Sequence, residues 1–159
     1  MYPCTYKWPA PAPATDQSRP EFRESVQRLQ ASMFDINGGA DGLESCPLTH
    51  HFAPGVYMRE MLIPAGTTIV GKLHRHAHHN LVLRGLAVVA TEFGDKVVKG
   101  GDVFVSQPGT KRAVRAIEDT VWITVHPNVS DTQDLSAIEE YVIAPSYEAL
   151  GHEQKEKLQ

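Results

Sequence analysis

The chain has 159 residues, 42% apolar and 21% charged, the composition of an ordinary globular protein and enough for one domain with extended arms. Fifteen Lys and Arg against nineteen Asp and Glu leave a formal charge of −4, which argues against nucleic-acid binding through a general basic surface, since phosphate neutralisation needs clustered cations. No apolar run approaches the roughly 20 residues of a membrane helix, the N-terminus has no signal-peptide pattern, and Cys4 and Cys46 are too few for a disulfide framework. The expectation is a cytoplasmic protein with free thiols and with neither nucleic acid nor membrane as partner.

In chain order, residues 1–17 read as a proline-rich extended arm. Pro3, Pro9, Pro11 and Pro13 bar a regular helix or a central strand. Tyr2, Tyr6 and Trp8 could pack on the domain or on a neighbouring subunit; a flexible tail is the equal alternative. Residues 18–54 read as a helix and an irregular link. Ser18 with Glu21 forms a capping-box pattern, Pro20 suits the first turn, and Phe22, Val26, Leu29 and Met33 recur on one helical face. Asn37-Gly38-Gly39 then breaks the helix.

Residues 55–127 switch to short apolar runs. Strands are expected near 56–63, 67–74, 78–84, 86–92, 96–99, 102–106, 112–117 and 120–126, punctuated by turn signals such as Gly85, Gly94-Asp95 and Pro108-Gly109. This spacing points to an antiparallel sandwich or barrel, with no segment long enough for the crossover helices of a parallel sheet. Residues 128–159 read as a helical tail, with short helices near 134–144 and 146–157 divided by Pro145.

Eight histidines are present, and His74, His76, His78 and His79 fall within six positions. On an unbroken strand, side chains two apart share a face, so His74, His76 and His78 would converge, with Asn80 continuing that face. Imidazole is the commonest metal ligand, and two or three together suit Zn, Fe, Mn, Ni or Cu. His126 is the best candidate to complete the set from another strand, because it shares parity with Trp122 and Thr124, opposite Val121, Ile123 and Val125. The alternative is a solvated surface cluster that binds metal weakly. His79 has the wrong parity. His50 and His51 precede the expected barrel and read more readily as backbone-bonded than as site residues.

Residues 66–85, with His74-x-His76 and a closing glycine, resemble the first motif of cupins, and Gly101-Asp102 through Pro108-Gly109 resembles the second. The resemblance covers about residues 55–127 and implies an all-β, cupin-like double-stranded β-helix: a jelly-roll barrel carrying an N-terminal arm and helix and short C-terminal helices. More closely, CPLTHHFAPGVYMRE (Cys46–Glu60), PGTKRA (Pro108–Ala113) and EDTVWITVH (Glu118–His126) resemble small, uncharacterised cupin-like proteins encoded by tailed bacteriophages. That likeness implies host cytoplasm or a virion as location and no particular reaction. Two usual ligand positions depart from the pattern: Asn80 stands where cupins have glutamate and Arg112 where they have histidine. Asn is a poor metal ligand and Arg cannot ligate. A metal site must therefore be rebuilt from His74, from His76 or His78, and from His126, with a divalent Zn, Fe, Mn or Ni as cofactor.

Arg112 has two readings. Pointing inward, it would bind a carboxylate or phosphate through paired hydrogen bonds; pointing outward, it is a surface charge. Arg59 is a similar candidate, with Tyr57 on the same face and a Glu60 ion pair as the plainer alternative. Cys46 near His50 and His51 formally allows a thiolate–imidazole pair, but a buried structural thiol is the simpler reading. The expected function is a metal-binding barrel with a His-lined pocket for a small anionic molecule, in which Arg112, Tyr57, Arg59 and Asn80 contact the ligand. The alternatives are a non-catalytic phage assembly module and a metabolite-binding module. A homodimer is expected from the resemblance.

Overall fold

The computed structural model describes residues 18–36 and 45–150; the proline-rich arm and the end of the C-terminal tail lie outside the described residues. The first helix, α1 (Ser18–Ile36), forms where the capping and spacing signals place it. Of its expected apolar face, Val26 is buried while Leu29 remains exposed. Polar ties fix it to the barrel: Arg23 pairs with Glu92 at 3.1 Å, and Lys111 Nζ donates to Gln30 at 2.9 Å.

Eleven strands follow: β1 (Leu48–Ala53), β2 (Gly55–Ile63), β3 (Thr68–Val70), β4 (Leu73–His74), β5 (His78–Arg84), β6 (Leu86–Thr91), β7 (Gly94–Lys99), β8 (Val103–Ser106), β9 (Arg112–Ala116), β10 (Thr120–Asn128) and β11 (Ile143–Ala144), with helix α2 (Leu135–Val142) before the last. One sheet runs β1-β2-β10-β5-β8 and the other β3-β9-β6-β7. Every pairing is antiparallel. Renumbering β2, β3 and β5–β10 as strands one to eight turns these orders into 1-8-3-6 and 2-7-4-5, with β1 added at one edge. That order is the jelly roll, two Greek keys rolled into a barrel. Between the sheets lies a core that includes Met61, Ile63, Val82, Val89, Val98, Phe104, Val114 and Trp122. Cys46 is buried in this core, as the simpler reading held.

Gly85 carries the chain from β5 in one sheet to β6 in the other at φ 94°. A Cβ there would stand 2.5 Å from the Asp119 carbonyl, so only glycine lets the two corners touch.

Four expectations are corrected. Residues 48–53, expected in the irregular link, form β1, because the Pro54 turn folds them back onto β2. The expected strand 67–74 is divided: β3 pairs with β9, whereas β4 leaves that sheet and pairs with β11. A bend at residues 75–77 then separates His74 from His78, so the two do not share one regular strand. Finally, the helix expected to 144 stops at Val142, and Ile143–Ala144 become a strand, since β4 offers a free edge there. Residues 147–150 are helical, and the continuation of that helix falls outside the described residues. No helix among the described residues is long and apolar enough to cross a membrane.

Candidate metal centre

The register of the five-stranded sheet builds the site row by row. Across its inner face, Leu48, Met61, Trp122 and Val82 make an apolar row. One step along, His50, Arg59, Thr124, Asn80 and Phe104 lie opposite one another, and the next row holds Phe52, Tyr57 and His126. His78 and Ser106 are paired at the same end. Alternation thus stacks a polar end on an apolar core, and His126 faces inward with the parity read from Trp122 and Thr124.

His78 opens β5 and His74 closes β4, which bends over the end of the barrel. With His126 they form a buried trio whose ligand atoms all lie within 4.8 Å of one another. Ring centroids stand 4.0 Å apart for His74–His78, 5.0 Å for His74–His126 and 4.8 Å for His78–His126. Burial, then the neighbouring imidazoles and Arg112 and Arg59, holds His74 far below the usual histidine range. Burial and Arg112 bring His78 down to about 4, and burial with His78 and Arg59 brings His126 down to about 3. All three are therefore neutral at pH 7, the form that ligates metal. The carbonyl of His76 can only accept, so Nδ1–H of His78 donates to it at 3.3 Å, which makes Nε2 the acceptor that faces Arg112 Nη2 at 3.4 Å. Nδ1 of His74 is buried without a hydrogen-bond partner. A compact, neutral set of three imidazoles with an orphaned ring nitrogen and no carboxylate fits a borderline transition metal.

The structure separates the sequence candidates. His76 stands outside the trio, half-buried on the bend, with its ring against Tyr141 at 4.9 Å. Its expected place beside His74 and His78 required an unbroken strand. Asn80 is also displaced from its expected ligand-binding role: fully buried, it accepts from Trp122 Nε1 at 3.0 Å and donates to Ser106 Oγ at 3.0 Å. Its amide is consumed by the scaffold, and it lines neither cavity beside the trio. His79 is exposed, as its parity predicts.

Arg112 points inward. Its Nη1 donates to Ser106 Oγ at 2.6 Å, its Nη2 lies 3.4 Å from His78 Nε2, and its guanidinium lies over the Trp122 ring at 5.4 Å. Burial lowers its pKa to about 10, so it remains charged at neutral pH. Gly71 makes room for it, since a Cβ there would sit 3.3 Å from Arg112 Cγ. The space beside Arg112 is only about 40 Å³.

The larger cavity, about 210 Å³, lies on the other side of His74, between the barrel and α2. His74, His126, Arg59, Tyr57 and His50 face it, and Ile138 and Val142 of α2 cover it. Glu60 pairs with His51 at 3.0 Å, so the plainer ion pair expected for Arg59 is not made. Tyr57 is buried, which raises its pKa and keeps the hydroxyl protonated, and it lies 2.7 Å from His50 Nδ1. His50 is the site residue that sequence reasoning passed over. A hairpin about Pro54-Gly55 would have revealed it, because that turn puts His50 opposite Arg59.

A jelly roll of this strand order, with a buried imidazole trio at one end of its inner face, is a cupin-like fold. No family model matches the sequence, and no curated protein matches it. Among solved structures, the chain is similar to an RmlC-like cupin from Shewanella frigidimarina (18% identity over 60% of this chain and 81% of that one, TM-score 0.47). It is also similar to KdgF from Halomonas sp. (22%, 48% and 73%, TM-score 0.43) and to ectoine synthase from P. lautus (17%, 49% and 60%, TM-score 0.44). The match spans less than two thirds of the ectoine synthase. The fold rests on the strand order and register given above, not on these likenesses.

Proposed function

We propose that this protein binds a divalent transition-metal ion (Zn, Fe, Mn or Ni) through His74, His78 and His126, and receives a small anionic molecule in the adjoining cavity. The observation that carries this reading is the buried, neutral trio with the unpartnered Nδ1 of His74. An ion held by three imidazoles keeps open positions, where it would supply Lewis acidity or a water of lowered pKa. The chain's own groups frame the reaction space: Tyr57, positioned against His50, offers a protonated hydroxyl, Arg59 offers positive charge, and Ile138 and Val142 of α2 supply an apolar wall.

The test is elemental mass spectrometry on tag-free protein purified without added metal, beside His74→Ala/His126→Ala. Near-stoichiometric Fe, Mn, Ni or Zn in the wild type and its loss in a folded double variant support the reading. A folded wild type that carries no metal and takes up none overturns it.

A second reading, a non-catalytic phage assembly module, is favoured by exposed Leu83, Val103 and Val105 on the outer face of β5 and the edge strand β8. In either reading we propose a homodimer formed through this face with a second copy. Light scattering checks it: twice the monomer mass for the wild type and a monomer for Val103→Lys/Val105→Lys. A monomeric wild type at high concentration sinks the dimer. In the assembly reading the dimer survives while the histidines are dispensable.

A further inference from the structure

Arg59 lies in the second strand of the barrel with its side chain on the inner face, half-buried, lining the same cavity as His74 and His126. It makes no hydrogen bond and no ion pair among the described residues. Its neighbour Glu60 faces the opposite side of the sheet and holds His51. Glu139 and Lys72 line the same cavity from its far wall, paired with each other, and the Glu139 charge reaches Arg59 without a direct contact. A guanidinium withdrawn from bulk water without an anion is costly to the fold, and an ordinary structural arginine would be paired. Its positive charge is also unwelcome beside a trio that lacks any carboxylate. The arrangement makes sense when an anion arrives from outside.

Size and lining restrict that anion. A cavity of about 210 Å³ holds about seven water volumes, below the range of drug-sized ligands. Leu48, Met61, Leu135, Ile138, Val142 and Ile143 supply apolar walls that suit a short carbon skeleton and offer nothing to a compact inorganic oxyanion. A planar guanidinium matches a carboxylate through two parallel hydrogen bonds.

We propose that the cavity under α2 takes a small carboxylic acid in its ionised form, and that Arg59 is the residue that recognises it. This rests on the anionic-ligand half of the functional reading above and is independent of the metal half. Arg112, the arginine that the motif position first brings forward, is instead committed to Ser106 and Trp122.

The test titrates malonate into full-length protein by calorimetry, once after chelator treatment and once after loading with zinc, with inorganic phosphate as the competing anion. Zinc content is checked after each run. Malonate should bind the wild type, bind Arg59→Gln at least tenfold more weakly, and recover part of its affinity in Arg59→Lys. Without ligand, Arg59→Gln should melt at or above the wild-type temperature, because it loses an unpaired cation; a structural arginine would lower it. Equal malonate affinity in Arg59→Gln, no malonate binding by the wild type, or tighter binding of phosphate than of malonate overturns the proposal. Arg59-dependent malonate binding by a protein that refuses zinc supports it and overturns the metal centre alone.

Discussion

Nη2 of Arg112 lies 3.4 Å from Nε2 of His78, so a fixed cation abuts one of the three proposed metal ligands. Arg112 would therefore oppose an ion bound by the trio while bracing the imidazole beside it. Even well screened, the repulsion between a dication and a cation a few ångströms from its ligand is on the order of 1 kcal/mol or more. Arg112→Gln should tighten zinc binding by about tenfold, measured by competition with a chromogenic chelator. The same change weakens the charged contact to Ser106 and should lower stability by about 1–3 kcal/mol in urea unfolding. Weaker metal binding would show that Arg112 supports the trio rather than taxing it electrostatically.

His76 and His78 differ by two positions, and only the bend distinguishes them. His78→Ala should cost roughly two orders of magnitude in metal affinity, because it removes one of three donors. His76→Ala should leave the affinity within about threefold and cost about 0.5–1.5 kcal/mol for the lost ring contact with Tyr141. Equal losses from the two substitutions would place His76 in the first coordination set.

Acid should destabilise the metal-free protein in a defined window. The folded-state pKa values of His78 and His126 lie near 4 and 3, and that of His74 is depressed further, chiefly through burial. An unfolded histidine titrates near 6.5. Above that pH both states are neutral and the contribution is complete; as pH falls from 6.5 the unfolded chain takes protons the folded one refuses. Each histidine then removes up to about 2 kcal/mol by pH 5. Urea midpoints at pH 7.5, 6 and 5 should fall steeply, and less steeply in His78→Gln. A flat profile would mean the trio is solvated.

The Asn80 network should act on stability and not on metal. Trp122→Phe leaves Oδ1 of Asn80 without its donor in a fully buried site, costing about 1–3 kcal/mol beyond the loss of ring packing. Metal content should stay at the wild-type level. A variant that unfolds no more easily would show that Asn80 has found another partner.

Much of this was legible in the chain. Short apolar runs between glycine and proline turns placed the strands of β2 and β5–β10, and parity alone sent His126 inward, because alternation holds wherever a strand is regular and paired on both sides. α1 was equally local, since its capping pattern in the sequence and its 4-3-4 spacing lie within one segment.

The other features depend on partners far away in sequence. Whether His76 or His78 joins His74 is decided by the bend after β4. There, Arg75 N–H bonds to Val142 O at 2.9 Å, Gly109 N–H bonds to His74 O at 2.9 Å, and β11 pairs with β4. No local pattern reports such bonds. β1 escaped notice because an edge strand with an exposed and half-buried pattern shows no alternation, and its identity comes from the hairpin with β2. The direction of Arg112 and the isolation of Arg59 were likewise tertiary matters: one finds Ser106 and Trp122 inside the barrel, and the other finds Glu60 turned to His51 and Glu139 taken by Lys72. Sequence periodicity determined which face each residue belongs to; only the folded chain, by bending strands and assigning each charge its partner, decided which of those residues form a site.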